Sequence, residues 1–217
     1  MTNFNDNFER AMELPMPART FAKLNAAGDF VSLTVRPGLI NKHVTAEQLQ
    51  VLAQLADEAA VKYSAGHSFI VSVEQQKLEA VVAKLTAVGL YAIQPGARAV
   101  VKCCDFCDGD RLEALSFARE LLQQIEQLPM KKRLRIGFNA CTEACYNAVR
   151  DDIGLVYHNG YIDLYAGAVQ MGRRASSGTL WKRKITEHEL LPLLQNILSD
   201  FEQSDCKTFA AFVKRGE

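Results

Sequence analysis

No apolar run in the 217 residues approaches the roughly 20 needed to span a bilayer, so a membrane-spanning helix is not expected. Charge of one sign is missing too: 25 Lys and Arg balance 25 Asp and Glu. That balance leaves no global basic field of the kind non-specific nucleic-acid binding uses. The first fifteen residues carry Asp6, Glu9 and Glu13 and no apolar centre, unlike a secretory signal, which favours a soluble cytoplasmic protein. No glycine-rich phosphate loop, serine-nucleophile motif or internal repeat is visible. The histidines (His43, His67, His158, His188) lie too far apart for metal-ligand spacing. With 48% apolar and 23% charged residues, what remains is an ordinary globular chain long enough to bury a core without staples.

The patterning divides the chain into an irregular arm (residues 1–28) and two structured segments, 29–96 and 97–217. Phe30, Val31, Leu33 and Val35 mark a strand that meets the Pro37-Gly38 turn. Thr45 and Gln48 form a capping box ahead of a helix carrying Leu49, Leu52, Leu55, Ala56 and Ala59. Ser68–Val73 reads as a strand. Ser72 and Gln75 then introduce a helix that Gly89 stops. A further strand is expected at Leu90–Ile93 or Ala97–Lys102. In the second segment Asp110 and Glu113 cap a helix that Pro129 ends, and Leu134, Ile136 and Phe138 form a strand delivering Cys141. A short helix is expected from Thr142. Ile153–Tyr157 and Tyr161–Ala166 are strands joined by the hairpin signal Asn159-Gly160, with Tyr157, Tyr161 and Tyr165 as hairpin packing. Thr186 and Glu189 cap the last long helix.

Five of the six cysteines fall between Cys103 and Cys145, in two tight groups. In a chain with cytosolic character, paired groups read as metal ligands before disulfides. Cys103 or Cys104, with Cys107, offers two thiolates from one loop. Cys141 and Cys145 offer two more, on one face of the expected helical turn. Four such thiolates suit a [4Fe–4S] cubane. They also describe a structural zinc site, for which Cys104 and Cys107 have the favoured gap and Cys141 and Cys145 do not, or simply buried thiols. Lys102 stands beside the first group as a compensating charge. Arg173 and Arg174 could fork onto an anion or remain solvated in their loop, and Lys182-Arg183-Lys184 beside Trp181 reads as a solvated face or a docking site for an acidic electron-transfer partner. Cys206 stands apart as a free or packed thiol.

The order of these motifs resembles the cluster-bearing domain of the sirohaem-dependent nitrite and sulfite reductases. Asp105-Phe106-Cys107, Ile136 to Cys145, Asp152-Ile153-Gly154-Leu155-Val156, Tyr161 to Gly167 and Glu187 to Phe201 follow the family's sequence of cysteine pair, strand, second cysteine pair, Asp-Ile-Gly segment, hairpin and helix. Arg36-Pro37-Gly38, Thr45 to Leu49 and Gly89-Leu90 are similar to the family's small ferredoxin-like half-domain. The resemblance implies an α+β protein, a ferredoxin-like half over 29–96 followed by an α/β cluster-binding domain over 97–217. It implies a [4Fe–4S] cluster on Cys107, Cys141, Cys145 and one of Cys103 and Cys104, with Cys145 bridging to a sirohaem. Arg36, Lys102, Arg173 and Arg174 would then face haem carboxylates or a small anionic substrate. An electron-donor protein or reductase subunit is the implied partner, and a second copy of the chain could complete the cavity. A haem-free electron-transfer module and a structural zinc protein are the alternatives.

Overall fold

The computed structural model describes residues 29–38, 43–58, 60–64, 67–93, 98–109 and 111–216. The expected N-terminal arm, Ala59, the Pro95-Gly96 turn and the Asp110 cap lie outside them. The described residues divide into two compact units, one within 29–37 and 43–93, the other within 98–216. Among the described residues no helix is long and apolar enough to cross a membrane.

In the first unit the order is β1 (Phe30–Arg36), α1 (Ala46–Glu58), β2 (Ala60–Ser64), β3 (Ser68–Glu74), α2 (Leu78–Ala87) and β4 (Tyr91–Ile93). The sheet order is β2-β3-β1-β4 with every described pairing antiparallel, the ferredoxin-like arrangement expected from the sequence. Alternation along β1 buries Leu33 and Val35, and Leu33 stands opposite Val71 of β3. Leu52, Leu55, Val81 and Leu85 from the helices close the core. The Thr45–Gln48 capping box forms: the Gln48 amide donates to Thr45 Oγ1 (3.2 Å), and the Thr45 amide donates to Gln48 Oε1 (3.1 Å). The same Gln48 then donates from Nε2 to Pro37 O (2.9 Å) and Val88 O (3.0 Å), tying the ends of β1 and α2 to α1. That explains why a glutamine is buried where the apolar stripe predicts Leu49, which is exposed.

Two expectations for this unit are corrected. Ser72 does not open a helix. It lies inside β3, opposite Ser32, and the chain leaves the strand through a 3₁₀ turn at Gln75–Lys77 before α2. The cap-like spacing was overridden by strand pairing on both sides of β3. The strand β2 was also missed, because Lys62 and Tyr63 face outward and blunt its alternation. Gly89 stops α2 as expected, at φ +74°, with the Leu90 amide donating to Leu85 O (2.9 Å).

The second unit runs β5 (Ala99–Cys103), α3 (Leu115–Glu126), β6 (Leu134–Asn139), β7 (Ile153–His158), β8 (Tyr161–Ala166), β9 (Thr179–Thr186), α4 (Glu187–Gln203) and α5 (Phe209–Gly216). Its sheet order is β5-β6-β7-β8-β9, with β5, β6 and β7 parallel and the last two joins antiparallel. Ala99, Val101, Leu134, Ile136, Phe138, Ile153, Leu155 and Ile162 project to the face that packs against the apolar stripes of α3 and α4. Asn159 and Gly160 both take positive φ (50° and 80°), as the two-residue hairpin requires. The Thr186–Glu189 capping box also forms. Strand β9 and helix α5 were not expected. In β9 only Ile185 is fully buried, so no alternation marks it in the sequence.

The opposite face of this sheet positions the site. A parallel β6–β7 pair needs a crossover of about a dozen residues, usually helical. Here residues 140–152 make that crossover with tight turns and a 3₁₀ turn at Ala148–Arg150. They fit flat on the sheet because Gly137 and Gly154, paired in register, have no side chains there. A Cβ on Gly137 would stand 2.5 Å from Asp151 Oδ2 and 2.8 Å from Ala148 Cα; one on Gly154 would stand 2.8 Å from Val149 Cα.

Candidate metal centre

Parallel pairing of β5 and β6 aligns Cys103 with Phe138, so both cysteine loops leave the same edge of the sheet. Alternation along β5 puts Cys103 on the core face with Ala99 and Val101. Cys104 begins the loop. Its amide continues the ladder to Phe138 O (2.9 Å), and its Sγ accepts the amide of Ala140 (3.3 Å) and the backbone amide of Phe106. Phe106 is buried and stacks on Phe138 (centroids 6.2 Å apart), which anchors the loop and leaves the next residue, Cys107, exposed.

The second loop departs from expectation. No helix begins at Thr142. Cys141 and Cys145 stand on successive turns, with the Ala144 amide donating to Cys141 O (3.3 Å) and the Asn147 amide to Ala144 O (2.7 Å). Ala144 and Asn147 both take left-handed φ (48° and 63°), which ends any helix after one turn. Of the seven described non-glycine residues at positive φ, four (Phe106, Cys107, Ala144, Asn147) lie in these two loops. Such conformations cost about 1 kcal/mol or more each and collect at functional sites.

Two of the loop thiols are held above the ordinary cysteine range. Burial pushes the Cys104 thiol up, the amides of Ala140 and Phe106 oppose this, and Cys145 adds to it. Loss of solvent, then Cys141 and Cys145, raise Cys107. Cys103 is buried on the core side of β5, and Cys206 is buried near the C-terminal end of the sequence. Among the described residues no three His, Cys, Asp or Glu side chains gather as ligands of one ion.

Two residues that sequence reasoning missed, Asn139 and Asp151, secure the second loop. Asn139 is 1% exposed, and its Oδ1 accepts the amide of Ala148 (2.9 Å). An amide N–H can only donate, so the atom facing Ala148 must be the oxygen. The atom left without a hydrogen-bond partner is then Nδ2, a buried donor. Such a group costs about 1–3 kcal/mol. Asp151, 5% exposed, accepts from Tyr146 Oη (3.2 Å) and from Gln170 Nε2. Burial raises its carboxyl above the usual range, while Lys102, Tyr146 and Arg135 pull the other way. The Asp151-Asp152 pair ahead of β7 is the sequence signal that could have been followed: Asp152 holds the Arg135 amide (2.9 Å) and Nε (3.3 Å).

The basic candidates lie on different elements. Lys102 lies on the face of the crossover, where it acts on Asp151. Arg173 and Arg174 are exposed at the tip of a turn closed by the Val169–Ser176 bridge. Arg36, in the first unit, is buried with its guanidinium 4.9 Å over the Tyr91 ring. Lys182, Arg183 and Lys184 are exposed on β9.

This architecture is the nitrite/sulfite reductase-like fold. The Mycobacterium tuberculosis NirA protein superposes with a TM-score of 0.61 at 20% identity, over 86% of this chain and 38% of that one. Dissimilatory sulfite reductase I gives 0.63 at 10% identity, over 86% and 66%. In sequence, 186 residues (84% of the chain) are 32% identical to the cobalt-factor III methyltransferase of Priestia megaterium. The chain spans about a third of that relative's length (34%). No family model matches.

Proposed function

We propose that the chain is an iron–sulfur redox module, holding a [4Fe–4S] cluster on Cys104, Cys107, Cys141 and Cys145. The observation that carries this reading is that two strained loops, each bearing a cysteine pair, leave the C-terminal ends of the paired parallel strands β5 and β6 side by side. Open α/β sheets bind ligands at that edge. The donor set fits the group. Thiolates are its ligands, and the Ala140 and Phe106 amides already point at one sulfur, where they would offset the negative charge of a cluster. Bound there, the cluster supplies one-electron transfer.

A zinc ion and a cubane make different demands of these loops. Zinc draws all its donors to one point, whereas a cubane takes one thiolate at each iron corner. Two cysteine pairs on separate loops favour the second demand in our reading. A sirohaem beside Cys145 is the finer form of the proposal; the likeness of fold to sulfite reductase favours it, and Lys102, Arg173 and Arg174 of the second unit are basic candidates for its carboxylates. A second setting comes from the relative's name. There the module would lie beside a methyltransferase acting on cobalt-factor III, and an electron carrier suits a substrate whose metal is redox-active.

The test is a visible spectrum with iron, sulfide and zinc quantitation on the full chain purified without oxygen and reconstituted with iron and sulfide. Broad brown absorption with equal iron and sulfide at cubane stoichiometry is expected. A sharp haem band would extend the reading to a sirohaem reductase. A colourless, zinc-loaded chain that resists reconstitution would overturn it.

A further inference from the structure

Resting on the cluster reading above, we infer that Asn139 is a positioning residue whose Nδ2 donates a hydrogen bond to a sulfur of the centre held by the Cys141–Cys145 loop. Three observations converge on it. Asn139 is the last residue of β6, its side chain on the opposite face from Phe138 and beneath the crossover. Its Oδ1 is committed to Ala148, three residues beyond Cys145, and the amide of the next residue, Ala140, is committed to Cys104 Sγ. Asn139 therefore lies between anchors that belong to both cysteine loops. Its Nδ2 is the one functional group there with a proton to give and nothing described to take it.

A buried amide donor persists where an acceptor is supplied at some stage of the protein's working life. Thiolate and inorganic sulfide are acceptors, and they become stronger ones when the cluster gains an electron. The N–H···S bond thus stabilises the reduced, more negative state over the oxidised one and raises the reduction potential. Asparagine meets both needs at once: a carbonyl oxygen for the Ala148 amide and an NH₂ for sulfur.

The experiment uses the full chain with its cluster reconstituted, grown with asparagine carrying ¹⁵N in the side chain. Pulsed EPR of the reduced cluster is expected to show a weak ¹⁵N coupling, lost in Asn139→Ala and in Asn139→Asp. The aspartate variant keeps the oxygen that holds Ala148, so it guards against a loop that fails to form. Asn139→Ala, which adds no charge, is expected to show a lower reduction potential in the fraction that retains its iron and sulfide, that fraction being set by the loss of the Ala148 anchor. A purely structural asparagine would leave both the coupling absent and the potential unmoved. A loaded wild-type chain without asparagine coupling overturns this inference and leaves the cluster reading standing. A wild-type chain that takes up no cluster overturns both.

Discussion

Gly137→Ala adds one methyl group to the face of the sheet on which the crossover lies. Its Cβ would fall 2.5 Å from Asp151 Oδ2, 2.8 Å from Ala148 Cα and 2.9 Å from Ala148 Cβ. The carboxylate oxygen is the end of a side chain, but Tyr146 and Gln170 both hold Asp151. The Ala148 Cα is backbone, pinned by Asn139. Neither neighbour can give way alone, so the whole turn over Ala148–Arg150 must lift. Overpacking of this kind costs about 2–3 kcal/mol. At about 4 °C per kcal/mol for a unit of this size, Tm should fall by about 8–12 °C. Gly216→Ala, which meets nothing within 4 Å, is the control and should move Tm little. Calorimetry or thermal circular dichroism reads both. The lift also displaces the chain just beyond Cys145, so iron retention in Gly137→Ala should drop with Tm. A Tm within about 2 °C of wild type would refute the claim that the crossover rests on the glycine pair.

Cys104→Ala should abolish iron and sulfide retention after reconstitution, while Cys103→Ala, altering a core-facing thiol, should retain both with a modest loss of Tm. Asp151→Asn should remove a pH dependence. A carboxyl raised by burial binds its proton more tightly folded than unfolded, so its contribution is full below the unfolded value and declines as pH rises through the folded one. Urea titrations on either side of that window should show a slope in wild type that the variant lacks. Glu189 works with the opposite sign. Its hydrogen bonds to Thr186 hold its carboxyl below the usual range, so the stability it contributes is present above the ordinary glutamate value and lost as pH falls below it. Thr186→Ala should cost about 1 kcal/mol by urea denaturation and flatten that acid-side loss.

The sequence announced the elements whose signals are local. The capping boxes at Thr45–Gln48 and Thr186–Glu189, the stop at Gly89 and the Asn159-Gly160 hairpin all depend on residues within a few positions of one another, and all formed. The spacing of Cys141 and Cys145 misled for the same reason. A gap of four is helical only if the intervening backbone is, and Ala144 carries no mark of its left-handed φ. That Cys103 ends β5 with its side chain on the core face was likewise hidden, since the last residue of the strand had to be known before alternation could assign faces. Asn139 and Asp151 were silent because their partners, Ala148 and Gln170, come from other segments.

Those partners explain why the centre and the crossover are one problem of stability. A helix between β6 and β7 would satisfy its own backbone and stand on its own. The chain of tight turns found here has few internal amide bonds and depends on the sheet beneath it: on two glycines for room, on Asn139 for an acceptor and on Asp151 for its anchorage to Tyr146 and Gln170. Cys141 and Cys145 begin that same segment, so whatever holds the turns flat also sets where the two sulfurs point. A bound cluster would return the favour, tying the start of the crossover to Cys104 and Cys107 at the end of β5, the strand on the other side of β6. Ligand binding to the folded state alone stabilises it by mass action. Cluster loss should therefore loosen the crossover before it loosens the hairpin of β7 and β8, whose Asn159-Gly160 turn and ladder are complete without it.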